Sequence, residues 1–99
     1  MNEITELETT VGCTTNGGPD ITALYHCGQH TVRVHVARDF YQQQSHATAS
    51  VLTPELTWTV LCHEPTGNWF DTTRDLVDLL AVANDLRDRA CRILRVPAA

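Results

Sequence analysis

The stretch that decides the fold is Ile21-Thr22-Ala23-Leu24-Tyr25-His26-Cys27-Gly28-Gln29-His30-Thr31-Val32-Arg33-Val34-His35-Val36-Ala37. Apolar and polar residues alternate on both sides of Gly28-Gln29. A two-residue loop with Gly first suits a type II′ turn. That turn pairs Cys27 with His30, Tyr25 with Val32, Ala23 with Val34 and Ile21 with Val36. Strand side chains alternate with period two, so these eight residues share one face. The face is apolar and ends at a Cys–His pair beside the turn, which suggests a metal site. The opposite face carries Thr22, Leu24, His26, Thr31, Arg33 and His35. It is polar enough to meet water, and its Arg and His make it a candidate partner surface.

Working outward, 99 residues suit a single domain, 1–99. A chain of this size can bury a core without staples, though with little margin. The formal charge of −5 argues against a protein that wraps nucleic acid, which needs a basic face. All seven basic residues are Arg, and Thr and Ala are abundant. This composition fits a GC-rich coding source such as an actinobacterium or one of its phages. The start, Met1-Asn2-Glu3-Ile4-Thr5-Glu6, has neither the basic opening nor the apolar stretch of a signal peptide. No apolar run is long enough to span a bilayer. A cytoplasmic location follows as the expectation. Disulfides are disfavoured there, and the four Cys read as thiols or metal ligands.

Before the hairpin, residues 1–19 form an extended N-terminal segment with a strand from Thr5 to Cys13, favoured by its Thr content. Asn16-Gly17-Gly18-Pro19-Asp20 is turn chemistry. After the hairpin, Asp39 to Ser45 breaks the alternation. Phe40 and Tyr41 are its apolar anchors and either pack beneath the loop or form a contact site. Ala47, Ala49 and Val51 alternate again, giving a strand to about Thr53. Thr53-Pro54-Glu55-Leu56 reads as a turn. A strand from Thr57 to His63 follows, with Trp58, Val60 and Cys62 on the inward face and Thr57, Thr59, Leu61 and His63 on the other. Residues 20–64 thus make the sheet core.

Residues 71–95 supply the helix, from Thr72 to about Arg95. Thr72 and Asp75 fit a capping box. Leu76, Leu79, Ala83, Leu86, Ala90 and Ile93 recur at helical spacing, widened by Leu80 and Leu94. Acidic residues near the start and Arg near the end complement the helix dipole. Pro97 blocks extension. The expected fold is α+β: an antiparallel sheet of four or five strands, with the 21–37 hairpin central, packed against one long C-terminal helix. The helix seam also permits self-association as a homodimer.

A closed zinc site needs four ligands. Cys13, Cys27, His30 and Cys62 are the economical set, a Cys₃His structural zinc site. The same cysteines also read as small buried side chains of a metal-free core. Cys91, between Ala90 and Arg92, carries no zinc signature. No nucleophile elbow or phosphate-binding Gly loop is present, so no enzyme is expected. The candidate partner-binding residues are His26, Arg33, His35, Phe40 and Tyr41.

Tyr25-His26-Cys27-Gly28-Gln29-His30, then Val32, Pro54-Glu55-Leu56-Thr57-Trp58 and Cys62, resembles the core of the actinobacterial RbpA family of RNA-polymerase-binding proteins. The likeness spans residues 25–67. It departs at the turn, where Gln29 separates Gly28 from His30, and in the long gap before Pro54. The resemblance implies a small β-domain, zinc-binding in some members, whose C-terminal helix contacts sigma factor. The expected function is a small cytosolic interaction or regulatory module with a protein partner, acting on transcription machinery if the resemblance carries. The alternative is a structural protein that dimerises through its C-terminal helix.

Overall fold

In the computed structural model the described residues are 4–13, 19–38, 46–65 and 76–94. Five strands precede one helix: β1 (Ile4–Cys13), β2 (Pro19–Cys27), β3 (His30–Ala37), β4 (His46–Leu52), β5 (Trp58–His63) and α1 (Leu76–Ile93). The strands lie in sequence order β1-β2-β3-β4-β5, each antiparallel to the next. The hairpin register is the one its turn chemistry dictates, Cys27 facing His30 and Ile21 facing Val36. Gly28 takes φ 63, and Gln29 does not share the positive φ, as a type II′ turn requires.

The inner face of the hairpin is the floor of the core. Ile21, Ala23, Tyr25, Cys27, Val32, Val34 and Val36 are buried, and Ala47 and Ala49 continue the floor onto β4. Leu79, Ala83, Leu86 and Ala90 of α1 close it from above. Alternating Ala with large residues on both surfaces lets helix and sheet approach closely. Leu80 and Leu94 pack at the margin. Ile93, expected in the stripe, is 51 % exposed. Residues 71–75 and 95, at the ends of the expected helix, lie outside the described residues, as does the 39–45 segment with Phe40 and Tyr41.

The face assigned to β5 needs correction. Ala49 pairs with Cys62, but the next rung is Ser50 with Val60, which leaves Leu61 as an extra residue. This β-bulge breaks the period-two alternation once, so residues on its two sides do not share a face by simple counting. Trp58 and Val60 therefore lie on the outer face, opposite the helix; Val60 is 58 % exposed. Cys62 does face the helix, and its thiol lies 3.7 Å from the Leu86 carbonyl, to which it donates. A second bulge at Leu7 interrupts β1.

The β4–β5 connection is residues 53–57, in which Thr53 and Thr57 close a three-residue loop, Pro54-Glu55-Leu56. Thr53 accepts from the Leu56 N–H at 2.9 Å and donates to the Thr57 carbonyl at 2.8 Å. Leu56 carries the left-handed residue of this loop, φ 64, a position that Gly or Asn fills at less cost. The two Thr hydroxyls bond at 2.7 Å across its base.

One ion-pair cluster ties α1 to the end of β5. Arg89 Nη1 lies 2.6 Å from Glu64 Oε2 and 3.4 Å from Asp85 Oδ2, and Nη2 donates to the His63 carbonyl. Among the described residues no helix is long and apolar enough to cross a membrane. Leu79 and Leu86, which a helix-mediated dimer would need, are fully buried against the chain's own sheet.

Candidate binding face of the sheet

With α1 on the inner face, the described residues leave the outer face uncovered. Strand register arranges it in cross-sheet rows. One row reads Thr10, Thr22, His35, Thr48, His63; the next reads Glu8, Leu24, Arg33, Ser50, Val60. Directly opposed side chains on one face stand about 5 Å apart, so each row is a line of touching groups. At the hairpin end, His26 and Thr31 pair, and Leu52 pairs with Trp58.

Two features stand out on this surface. The Arg33 guanidinium lies over the Trp58 ring, 4.4 Å from its centroid. This cation–π contact holds a long, flexible cation in one place on a flat aromatic base. Beside it is a recess of about 280 Å³ lined by Thr22, Arg33, His35 and Thr48. Two hydroxyls, an imidazole and a guanidinium thus share one small depression.

The recess has an acidic rim. His35 Nε2 is 4.0 Å from Asp20 Oδ2. Asp20 faces Gly12 across the β1–β2 pair. A Cβ on Gly12 would come within 2.8 Å of Asp20 Oδ1, so a side chain there would push the carboxylate from its place beside His35. His35 titrates below its ordinary value of 6.5. Burial is the main cause, the charges of His46 and Arg33 add to it, and Asp20 opposes it. At neutral pH the ring is therefore uncharged. It offers one donor and one acceptor, and Arg33 is the fixed cation of the recess.

Of the expected partner-binding residues, His26, Arg33 and His35 lie together on this face. Phe40 and Tyr41 fall outside the described residues. Sequence reasoning missed Trp58 and Val60 because the bulge that turns them outward has no Gly or Pro to mark it. Thr22 and Thr48 were legible as outward residues of their strands, but nothing in the sequence showed that they share a recess.

The residues expected to bind zinc are dispersed. Cys27 and His30 do face each other, yet Cys27 is fully buried and His30 exposed. Cys13 is opposite Pro19, at the far end of β2 from Cys27. At 3.3 Å per residue those ends are about 26 Å apart. Cys62 shares a row with Ala49, Val34 and Ala23. That is four residues and three strands from Cys27, about 19 Å by strand geometry. Zinc needs its ligands about 2.3 Å from one point, so Cys13, Cys27, His30 and Cys62 are not brought together. A shared face was the correct reading for Cys27 and Cys62. Position along the strand is what separates them. Among the described residues no group of three or more His, Cys, Asp or Glu side chains could hold a metal ion.

The thiols engage other groups. Cys27 is pushed up to about 12, chiefly by burial and then by the neighbouring Cys91 thiol. Burial also raises Cys62, against the opposing charge of Arg89. Neither thiol is activated as a nucleophile.

Fold and face together define a small α+β domain: an antiparallel meander with one helix on its inner surface and a polar outer surface. The chain matches no protein-family model, no curated protein and no solved structure.

Proposed function

We propose that this protein is a non-catalytic binding module and that its outer sheet face docks a protein partner through an acidic segment. The observation that carries the reading is the Arg33–Trp58 stack beside the hydroxyl-lined recess. Arg and Trp are the side chains that most often dominate interface energetics, above all when one immobilises the other. A guanidinium fixed on an indole keeps its N–H donors available for a carboxylate, and Thr22 and Thr48 supply further hydrogen-bonding groups beside it. Leu24 and Val60 extend the platform along the Arg33 row with apolar area. The rest of the chain is net acidic, which disfavours acidic partners elsewhere on the surface. Transcription machinery, suggested by the resemblance of residues 25–67, is one partner to test.

Binding of fluorescein-labelled Glu/Asp-rich peptides, measured by anisotropy at low and moderate salt, tests the reading. Arg33→Ala and Trp58→Ala should each weaken binding at least tenfold while leaving the circular dichroism spectrum unchanged. Arg92→Ala, an exposed cation near the helix end, should not. Equal affinities in all three variants would sink the proposal.

A further inference from the structure

The inner face holds a second juxtaposition that the binding face does not use. Cys27 is the last residue of β2, and Cys91 lies in the last turn of α1. They are 0 % and 2 % exposed and belong to one buried cluster, where Cys91 stands close enough to Cys27 to help raise its thiol. The packing of helix on strand fixes this meeting independently. One helical turn earlier, Arg87 lies over Tyr25, 5.5 Å from the ring centroid. Four helical residues rise about 6 Å, and two strand residues about 6.6 Å. Stepping from Arg87 to Cys91 therefore keeps pace with stepping from Tyr25 to Cys27. By this spacing Cys27 and Cys91 occupy the rung next to the cation–π pair.

We propose that Cys27 and Cys91 are a dithiol–disulfide pair, whose oxidation links the hairpin end of β2 to the last turn of α1. The oxidant class is a low-molecular-weight disulfide such as oxidised glutathione. One cysteine thiolate attacks it, forming a mixed disulfide and releasing one glutathione thiolate. The second cysteine then attacks the protein-side sulfur, forms the Cys27–Cys91 bond and releases the second glutathione. Two electrons pass from the protein sulfurs to the glutathione disulfide. The two cysteine protons end on the two glutathione thiols. Burial holds the Cys27 thiol protonated at neutral pH, so exchange waits for the helix end to open. In a reducing cytosol the pair rests as the dithiol, and it closes when the disulfide fraction of the pool rises. Closure clamps α1 onto the sheet without touching the outer face, so this inference stands apart from the proposed binding function.

The test uses the full chain, refolded from denaturant through a buffer of reduced and oxidised glutathione so that burial cannot block exchange. Free thiols are then alkylated and the protein is digested without reductant. The expected result is a linked peptide pair containing Cys27 and Cys91, intact in Cys62→Ser and dispersed by dithiothreitol. Cys27 and Cys91 recovered separately, alkylated or glutathionylated, would overturn the proposal. So would links that join either residue to Cys13 or Cys62 instead.

Discussion

Truncating Leu86 to Ala should cost about 3–5 kcal/mol, the upper part of the range for buried leucines. Leu86 is fully buried and central to the helix stripe. It belongs to a buried cluster rich in alanine, with Ala23, Ala47 and Ala49 of the sheet and Ala83 and Ala90 of its own helix. Alanines have no rotamers with which to fill a void, and paired strands hold their backbone in place. The cavity therefore collapses little. The Leu86 carbonyl that accepts the Cys62 thiol is untouched, so the loss is one of volume alone. In a domain near 100 residues each kcal/mol moves the melting temperature by roughly 4–8 °C, so the drop should reach about 12 °C or more. Urea unfolding followed by far-ultraviolet circular dichroism gives the free energy directly, with the midpoint falling and the slope m constant. Val77→Ala, at a residue 74 % exposed on the same helix, should stay within about 0.5 kcal/mol of wild type. If the two variants unfold alike, the helix face assigned to the core is wrong.

Three further outcomes follow from particular contacts. Arg89→Ala should cost roughly 1 kcal/mol, because it removes the link to Glu64 and to the His63 carbonyl; reading Arg89 as a free surface cation predicts no change, and thermal melts in low and high salt separate the two. Leu56→Asn should raise stability by about 0.5–1 kcal/mol by relieving a left-handed φ at an exposed leucine, and a lower melting temperature would contradict that. His35 titrates below 6.5 in the folded chain, so the unfolded chain binds its proton more readily. Its contribution is complete above pH 6.5 and is lost as pH falls through that value towards the lower folded pKa. His35→Gln should flatten the stability profile in that window, and an unchanged profile would discard the assignment.

How far the sequence carried the structure is plain from four places. The 21–37 hairpin was legible almost to the atom, because alternation and one glycine at a turn leave a single register. The face of Trp58 and Val60 was not. A β-bulge changes the face by adding one residue, and Leu61 looks like any other strand residue. The cysteines show a different limit. Periodicity says which face a side chain takes, and it placed Cys27 correctly on the inner one; Cys62 is inward too, but on the far side of the bulge from the Trp58 and Val60 with which it was grouped. It says nothing of where along the sheet a residue ends up when strands slide past one another. Cys91 was passed over for the same reason: its counterpart sits on another element, and only the phase of α1 on β2 brings the two thiols together. The outer face was half visible. Thr22, Arg33, His35 and His26 were read from the outward set, while Trp58 was hidden by the bulge and the recess that Thr22 and Thr48 share needed the full strand order.

The claim that the outer sheet face is the docking surface is tested most directly by placing a photo-reactive side chain at one residue of each face. A benzoylphenylalanine at Val60 samples the Arg33 row of the sheet, and one at Val77 samples the exposed side of the helix. Irradiation in a native extract, with acidic peptide added as competitor, should give a discrete partner cross-link from Val60 that the peptide suppresses and that Arg33→Ala abolishes. Val77 should give none. A cross-link from Val77 alone, or one from Val60 indifferent to both peptide and Arg33→Ala, would contradict the account.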